Sequence, residues 1–215
     1  MKRPDFDLSV YLVMGPDDVR HHTLEEMLSR ALKGGVTLVQ LRDKTADRQR
    51  FVELGRAMQT LLKPAGVPLI VNDRVEEAIA LGAAGVHVGQ DDMSARLVRQ
   101  SVGPDRLVGL SSSRPEDAAA ADPGIVDYLG AGPVHATTSK ADAKTPIAAQ
   151  GVGAICRASS LPVVAIGGVR EGDVPDLVAA GVAGVAVVSA ICAAEDPEAA
   201  ARGLRRAMEQ ARKPA

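Results

Sequence analysis

A short apolar run rich in Val, Ile and Leu, followed by a stretch rich in Ala, Leu, Glu and Arg, recurs eight times along the chain, and this alternation limits the possible folds most strongly. It is the pattern of repeated βα units, in which each helix carries the chain back across a parallel sheet. The expected strands are Leu8 to Val13, Thr37 to Arg42, Pro68 to Asn72, Gly85 to Gly89, Arg106 to Ser111, Asp127 to Gly132, Val163 to Gly167 and Gly184 to Ser189. Leu81-Gly82-Ala83-Ala84-Gly85-Val86 returns as Ala180-Gly181-Val182-Ala183-Gly184-Val185, and Lys33-Gly34-Gly35-Val36 is a looser copy. Each reads as a helix end, a glycine turn and a new strand. Between them a helix is expected from Thr23 to Leu32, with Thr23 as N-cap and Gly34-Gly35 as its stop. Another is expected from Asp47 to Leu62, ended by Pro64. Eight such units, with no Gly-x-Gly-x-x-Gly opening the first, imply an α/β fold closed into a single (β/α)8 TIM barrel.

The length of 215 residues, 46% of them hydrophobic and 24% charged, suits one domain spanning residues 1–215. A net charge of −2 and 2% aromatic residues provide neither the electrostatics nor the stacking surfaces of a nucleic-acid binder. No apolar run reaches membrane-spanning length, and Met1-Lys2-Arg3-Pro4-Asp5 lacks the apolar core of a signal peptide. A cytoplasmic location with no membrane partner is therefore expected. Cys156 and Cys192 have no CxxC or metal-like spacing and read as buried reduced thiols.

In a barrel of this type the chemistry sits at the C-terminal ends of the strands. Strand two ends in Val39-Gln40-Leu41-Arg42-Asp43-Lys44, where alternation puts Gln40, Arg42 and Lys44 on one face and turns Val39 and Leu41 toward the helices. Cations on such a strand are costly to bury unless an anion meets them. Strand three ends in Asn72-Asp73, strand four in His87 and then Gln90-Asp91-Asp92, and strand five in Ser111-Ser112-Ser113. Strand six runs into Gly132 to Lys140, strand seven ends in Gly167-Gly168, and strand eight ends in Val188-Ser189-Ala190. Arg42, Lys44 and Lys140 suit phosphate oxygens; Asp73 and one of Asp91 and Asp92 are hard oxygen ligands suited to Mg²⁺. Cations beside carboxylates suggest a diphosphate bound with its metal. Gly167-Gly168 and the Ser189-Ala190-Ile191 helix start form a second, uncharged site of the kind that holds a monophosphate. Two phosphorylated substrates, one with a diphosphate leaving group, imply a transferase.

These segments resemble the thiamine-phosphate synthase family. The likeness runs through Val39 to Lys44, Ile70-Val71-Asn72-Asp73, Gly85 to Asp92, Gly109-Leu110-Ser111, Gly132 to Lys140, Ala165-Ile166-Gly167-Gly168 and Val187 to Ile191. The resemblance implies an enzyme that joins a hydroxymethylpyrimidine diphosphate to a thiazole phosphate, releasing pyrophosphate with Mg²⁺ as cofactor. It assigns Gln40, Arg42, Lys44, Asn72, Ser111 and Lys140 to the pyrimidine diphosphate, with Arg42, Lys44 and Lys140 catalytic. It assigns Thr137, Thr138, Ser139, Gly168, Val188 and Ser189 to the thiazole phosphate. Asp73 and Asp92 become the metal ligands, which chooses Asp92 over Asp91. The implied partners are these two small molecules; the oligomeric state is left unassigned.

The chain departs from the family in the loop after strand six, where His135, Ala136 and Ser139 stand at an aromatic, a proline and a second threonine position. Ser139 keeps the hydroxyl, and His135 reads as a polar stand-in for a packing aromatic. Ala141 to Thr145 reads as a flap over the site, and His87 as a core histidine pointing into the barrel. A thiazole tautomerase, which resembles this family without the diphosphate site, is disfavoured by intact Arg42, Lys44, Asp73, Asp92 and Lys140. A barrel that binds a thiamine precursor as a regulator is the remaining alternative.

Overall fold

The computed structural model describes residues 5–137 and 145–213. All eight expected strands are present, and they close into a barrel in sequence order, with β8 hydrogen-bonded back to β1. They are β1 (Val10–Met14), β2 (Leu38–Leu41), β3 (Leu69–Asn72), β4 (Gly85–Val88), β5 (Leu107–Ser112), β6 (Tyr128–Ala131), β7 (Val163–Ile166) and β8 (Gly184–Val187). Among the described residues the outer layer holds α1 (Leu24–Lys33), α2 (Arg48–Ala65), α3 (Val75–Leu81), α4 (Ala95–Val102), α5 (Pro115–Ala119), α6 (Ala148–Ala158), α7 (Val174–Ala179), α8 (Ser189–Cys192) and α9 (Pro197–Ala211). Among the described residues no helix is long and apolar enough to cross a membrane.

Most strands are shorter than the sequence pattern implied. Arg42, Gly89, Gly132, Gly167 and Ser189 lie past the last residues of their strands, and Ser189 opens α8. β1 starts at Val10, two residues later than expected; Ser9 just before it is tied through both its amide and its hydroxyl to the Asp7 carboxylate. Helix α1 starts as expected, with the Thr23 hydroxyl accepting from the Glu26 amide at 3.2 Å and Glu26 answering the Thr23 amide at 3.1 Å. Helix α2 corrects an expectation: it passes through Pro64 and stops at Ala65. Pro64 has no N–H to donate to the preceding turn, yet the helix continues for one residue beyond it. The stop comes from Gly66, whose φ of 68° lets its amide cap the Leu62 and Lys63 carbonyls.

Alternation along the strands divides the core in two. Outward residues such as Val39, Leu41, Val86 and Val88 pack with helix residues such as Met58 and Leu204. Inward residues Tyr11, Leu38, Ile70, Leu107, Tyr128 and Val164 fill the barrel itself. Each fully buried residue of this kind contributes roughly 1.5–3 kcal/mol through loss of apolar contact with water. At the N-terminal ends of β5 and β6, Arg99 and Asp127 form a 2.6 Å ion pair with only 12% and 5% of their side chains exposed. Asp127 also accepts from the Val108 amide at 2.7 Å, and Arg99 donates to the Ile125 and Gly103 carbonyls. The charges are thus satisfied on all sides at the end of the barrel opposite the polar rim. Of the two thiols, Cys192 is buried as expected, whereas Cys156 is only partly covered.

Candidate active site

The C-terminal mouth of the barrel opens into a cavity of about 210 Å³. Its lining includes Gln40, Arg42, Lys44, Asn72, Asp92, Ser111, Thr137, Gly168, Val188 and Ser189, so residues separated by some 150 positions in sequence meet there. Thr138, Ser139 and Lys140, with segment 141–144 of the expected flap, lie outside the described residues.

On the β2–β4 side the cavity is charged. Lys44 stands 3.7 Å from the Asp73 carboxylate, which also accepts from the Asn72 amide nitrogen at 2.7 Å. Asp73 does not itself face the cavity lining, but sits immediately behind it. It adopts a φ of 50°, an unfavourable conformation for a residue with a side chain, and its amide is held by the His87 carbonyl at 2.9 Å. Burial raises the Asp73 pKa, and the negative charge of Asp92 raises it further, against the opposing pull of Lys44, Arg74 and Arg42. Two carboxylates that repel each other beside a partly buried pocket have the donor chemistry of a hard divalent cation. Among the described residues no group of three or more His, Cys, Asp and Glu could hold a metal. A metal here would therefore draw its remaining ligands from water or a bound phosphate, as Mg²⁺ commonly does. Asp92 is held in turn by the Gly89 amide at 2.7 Å.

The β7–β8 side is a backbone cradle at Gly167 and Gly168, with Arg170 lining the adjoining pocket beside Gly168 and Ser189. Gly167 and Gly168 adopt φ values of 94° and 70°, and a Cβ on Gly168 would fall 2.9 Å from the His135 Cβ and 3.1 Å from the Ala136 carbonyl oxygen. Only glycine fits this turn without displacing the loop over it. Facing it, Val188 caps α8 and Ser189 begins it, so first-turn amides that lack partners within the helix lie at the cavity edge.

His135 differs from the expectation. Its ring is half exposed and bonds the Asp173 carboxylate at 3.0 Å, so it crosslinks the loop after β6 to the one after β7 instead of packing as an aromatic would. A short polar side chain can bridge two loops where a phenyl ring offers no donor. His87 is buried as expected, bonded through Nδ1 to the Tyr128 hydroxyl at 3.1 Å and through Nε2 to the Ser111 hydroxyl at 3.0 Å.

Several lining residues were not singled out from the sequence. Asp18, in the loop after β1, borders the cavity; burial raises its pKa, and the nearby Arg42 charge opposes that rise. The polar-rim rule applied to the first strand as to the other seven would have found it. Tyr11 also lines the floor, and with Tyr128 it makes up the chain's whole complement of tyrosines, both on strands and both inward. That rarity was the available signal.

The family model for thiamine monophosphate synthase matches residues 10–191. Thiamine-phosphate synthase of Xanthobacter autotrophicus is 52% identical over 212 residues, covering 99% of this chain and all of that one. The corresponding protein of Solidesulfovibrio magneticus is 50% identical over 210 residues, covering 98% and 100%. The solved thiamine phosphate pyrophosphorylase from Pyrococcus furiosus superposes with a TM-score of 0.86 at 32% identity, covering 96% of this chain and 98% of that one. The polar mouth of this barrel and these full-length likenesses agree: the chain belongs to the thiamine-phosphate synthase family of enzymes.

Proposed function

We propose that the cavity joins a hydroxymethylpyrimidine diphosphate to a thiazole phosphate, carboxylated or not, forming thiamine phosphate and releasing pyrophosphate. The observation that carries this reading is that one cavity has two sides of different chemistry. Arg42, Lys44 and Asp92 line one side, with the Asp73 carboxylate directly behind them beside Lys44; the glycine cradle at Gly168 and the start of α8 line the other. The side with cations and carboxylates suits a diphosphate with a metal, and the backbone cradle on the other side suits a monophosphate.

In the proposed reaction the carbon–oxygen bond between the pyrimidine methylene and the diphosphate breaks, and its electron pair leaves with pyrophosphate. Arg42, Lys44 and Lys140 meet the charge that builds on the departing oxygens, as fixed positive groups aimed at the transition state. Asp73 and Asp92 would hold Mg²⁺, which when bound neutralises part of the same charge. The ring amino group feeds electron density toward the methylene carbon, and Gln40 and Ser111 orient the ring beneath it. A thiazole phosphate held by Thr137, Thr138, Ser139, Gly168, Val188 and Ser189 presents its nitrogen to that carbon, and the new carbon–nitrogen bond forms by proximity. No protein nucleophile is required. Mixing the enzyme with both substrates and Mg²⁺ while following pyrophosphate tests the scheme: sustained release that needs the thiazole phosphate is expected, and release indifferent to it would contradict coupled transfer.

A further inference from the structure

Four hydrogen bonds run unbroken across the barrel floor, from β2 to β5. The Gln40 side-chain nitrogen donates to the Tyr11 hydroxyl at 2.6 Å, and the Tyr11 and Tyr128 hydroxyls bond each other at 2.9 Å. Tyr128 then meets His87 Nδ1 at 3.1 Å, and His87 Nε2 meets the Ser111 hydroxyl at 3.0 Å. The route is cleared by glycines: a Cβ on Gly109 would overlap the Tyr128 ring and His87 Nδ1, and one on Gly130 would lie 3.1 Å from the His87 ring. Both tyrosines are fully buried, and burial pushes both phenols well above their ordinary pKa, so each keeps one proton to give.

The starting donor fixes the direction of every later link. An amide nitrogen can only donate. Tyr11, having accepted from Gln40, gives its own proton to Tyr128, and Tyr128 gives its proton to His87 Nδ1. His87 then carries its proton on Nε2 and donates to Ser111. The chain therefore ends in two residues that both line the cavity, Gln40, which keeps its carbonyl as an acceptor, and Ser111, which keeps its hydroxyl proton as a donor. Reversing any link would leave a buried donor facing a donor, at a cost of about 1–3 kcal/mol.

We infer that Tyr11, Tyr128 and His87 form a positioning relay that makes the site select a 4-aminopyrimidine over its 4-oxo analogue. This rests on the proposed pyrimidine substrate. The amino group is a donor that the Gln40 carbonyl accepts, and the ring nitrogen opposite it is an acceptor for Ser111. An oxo group would instead face the Gln40 carbonyl acceptor to acceptor. The same contact assists the chemistry, since a hydrogen bond accepted from the amino group increases its electron release into the ring as diphosphate leaves.

Two measurements test the relay. In the substrate-free enzyme, long-range ¹H–¹⁵N spectra of the imidazoles, with His87 assigned by loss of its signals in His87→Gln, are expected to show the Nε2-protonated tautomer. They are expected to show a tautomer mixture in Tyr128→Phe; an Nδ1-protonated ring in the unmutated enzyme would overturn the stated direction. In turnover, kcat/KM for the 4-oxo diphosphate is expected at least about a hundredfold below that for the amino compound. Tyr11→Phe frees the Gln40 amide to turn and should narrow that ratio tenfold or more, with KM for the thiazole phosphate unchanged. An equal fall for both analogues would mean that Tyr11 only supports the fold, and would overturn the inference. Absence of turnover with the amino compound would refute the substrate reading and the selectivity with it, whereas the tautomer result judges the relay separately.

Discussion

Replacing Gly168 by alanine perturbs one anion site while leaving the other intact. The native φ of 70° costs an alanine about 1–2 kcal/mol, because the Cβ crowds the following carbonyl. The added atom would also lie 2.9 Å from the His135 Cβ and 3.1 Å from the Ala136 carbonyl, so the loop carrying Thr137 must move by a few tenths of an ångström. Part of the strain is offset by the lower chain entropy of unfolded alanine, roughly 0.4–1 kcal/mol. The fold should therefore survive, with the loss concentrated in the cradle. Calorimetric titration is expected to show thiazole phosphate binding weakened about tenfold to a hundredfold, equivalent to about 1.4–2.8 kcal/mol. Binding of the pyrimidine diphosphate should stay within about twofold, because Arg42, Lys44 and the carboxylates lie in the loops after β2, β3 and β4, away from the β7–β8 cradle. Lys44→Ala should show the converse pattern. Equal loss of both ligands in both variants would refute the assignment of the two sides to different substrates.

Asp92→Asn should greatly lower turnover and weaken the Mg²⁺ requirement, while Asp91→Asn does neither, because the Asp92 charge is the one felt by Asp73; magnesium titrations of the steady-state rate read this directly. His135→Phe removes only the half-exposed bond to Asp173 and should leave turnover within about tenfold, or 1.4 kcal/mol in the barrier. A loss above a hundredfold with the circular dichroism spectrum intact would instead mark a proton-transfer role. Asp127→Ala strands the Arg99 cation with 12% exposure and should cost about 3–5 kcal/mol in urea unfolding, a result that a loss of unfolding free energy under about 1 kcal/mol would contradict.

Local periodicity made the barrel and most of its rim legible in the sequence. In β2, a period of two correctly separated inward Gln40 from outward Val39 and Leu41, because each neighbouring residue must face the other layer. What periodicity omits is which inward residues meet. The Gln40 to Ser111 chain joins β1, β2, β4, β5 and β6, and its contacts depend on how far each strand is staggered against the next, a property of closure rather than of any one segment. Pro64 misled for a related reason: the helix end is set by the left-handed turn at Gly66 and not by the proline itself. The role of His135 was equally hidden, since its partner Asp173 lies 38 residues away in another loop.

The proposed chemistry is tested most directly by mass spectrometry of the product formed from purified pyrimidine diphosphate, thiazole phosphate and Mg²⁺. The expected result is thiamine phosphate in equal amount to the pyrophosphate released, with neither formed when either substrate is omitted. A folded enzyme that binds both compounds yet forms no thiamine phosphate, or one that only isomerises the thiazole while the diphosphate stays intact, would contradict it.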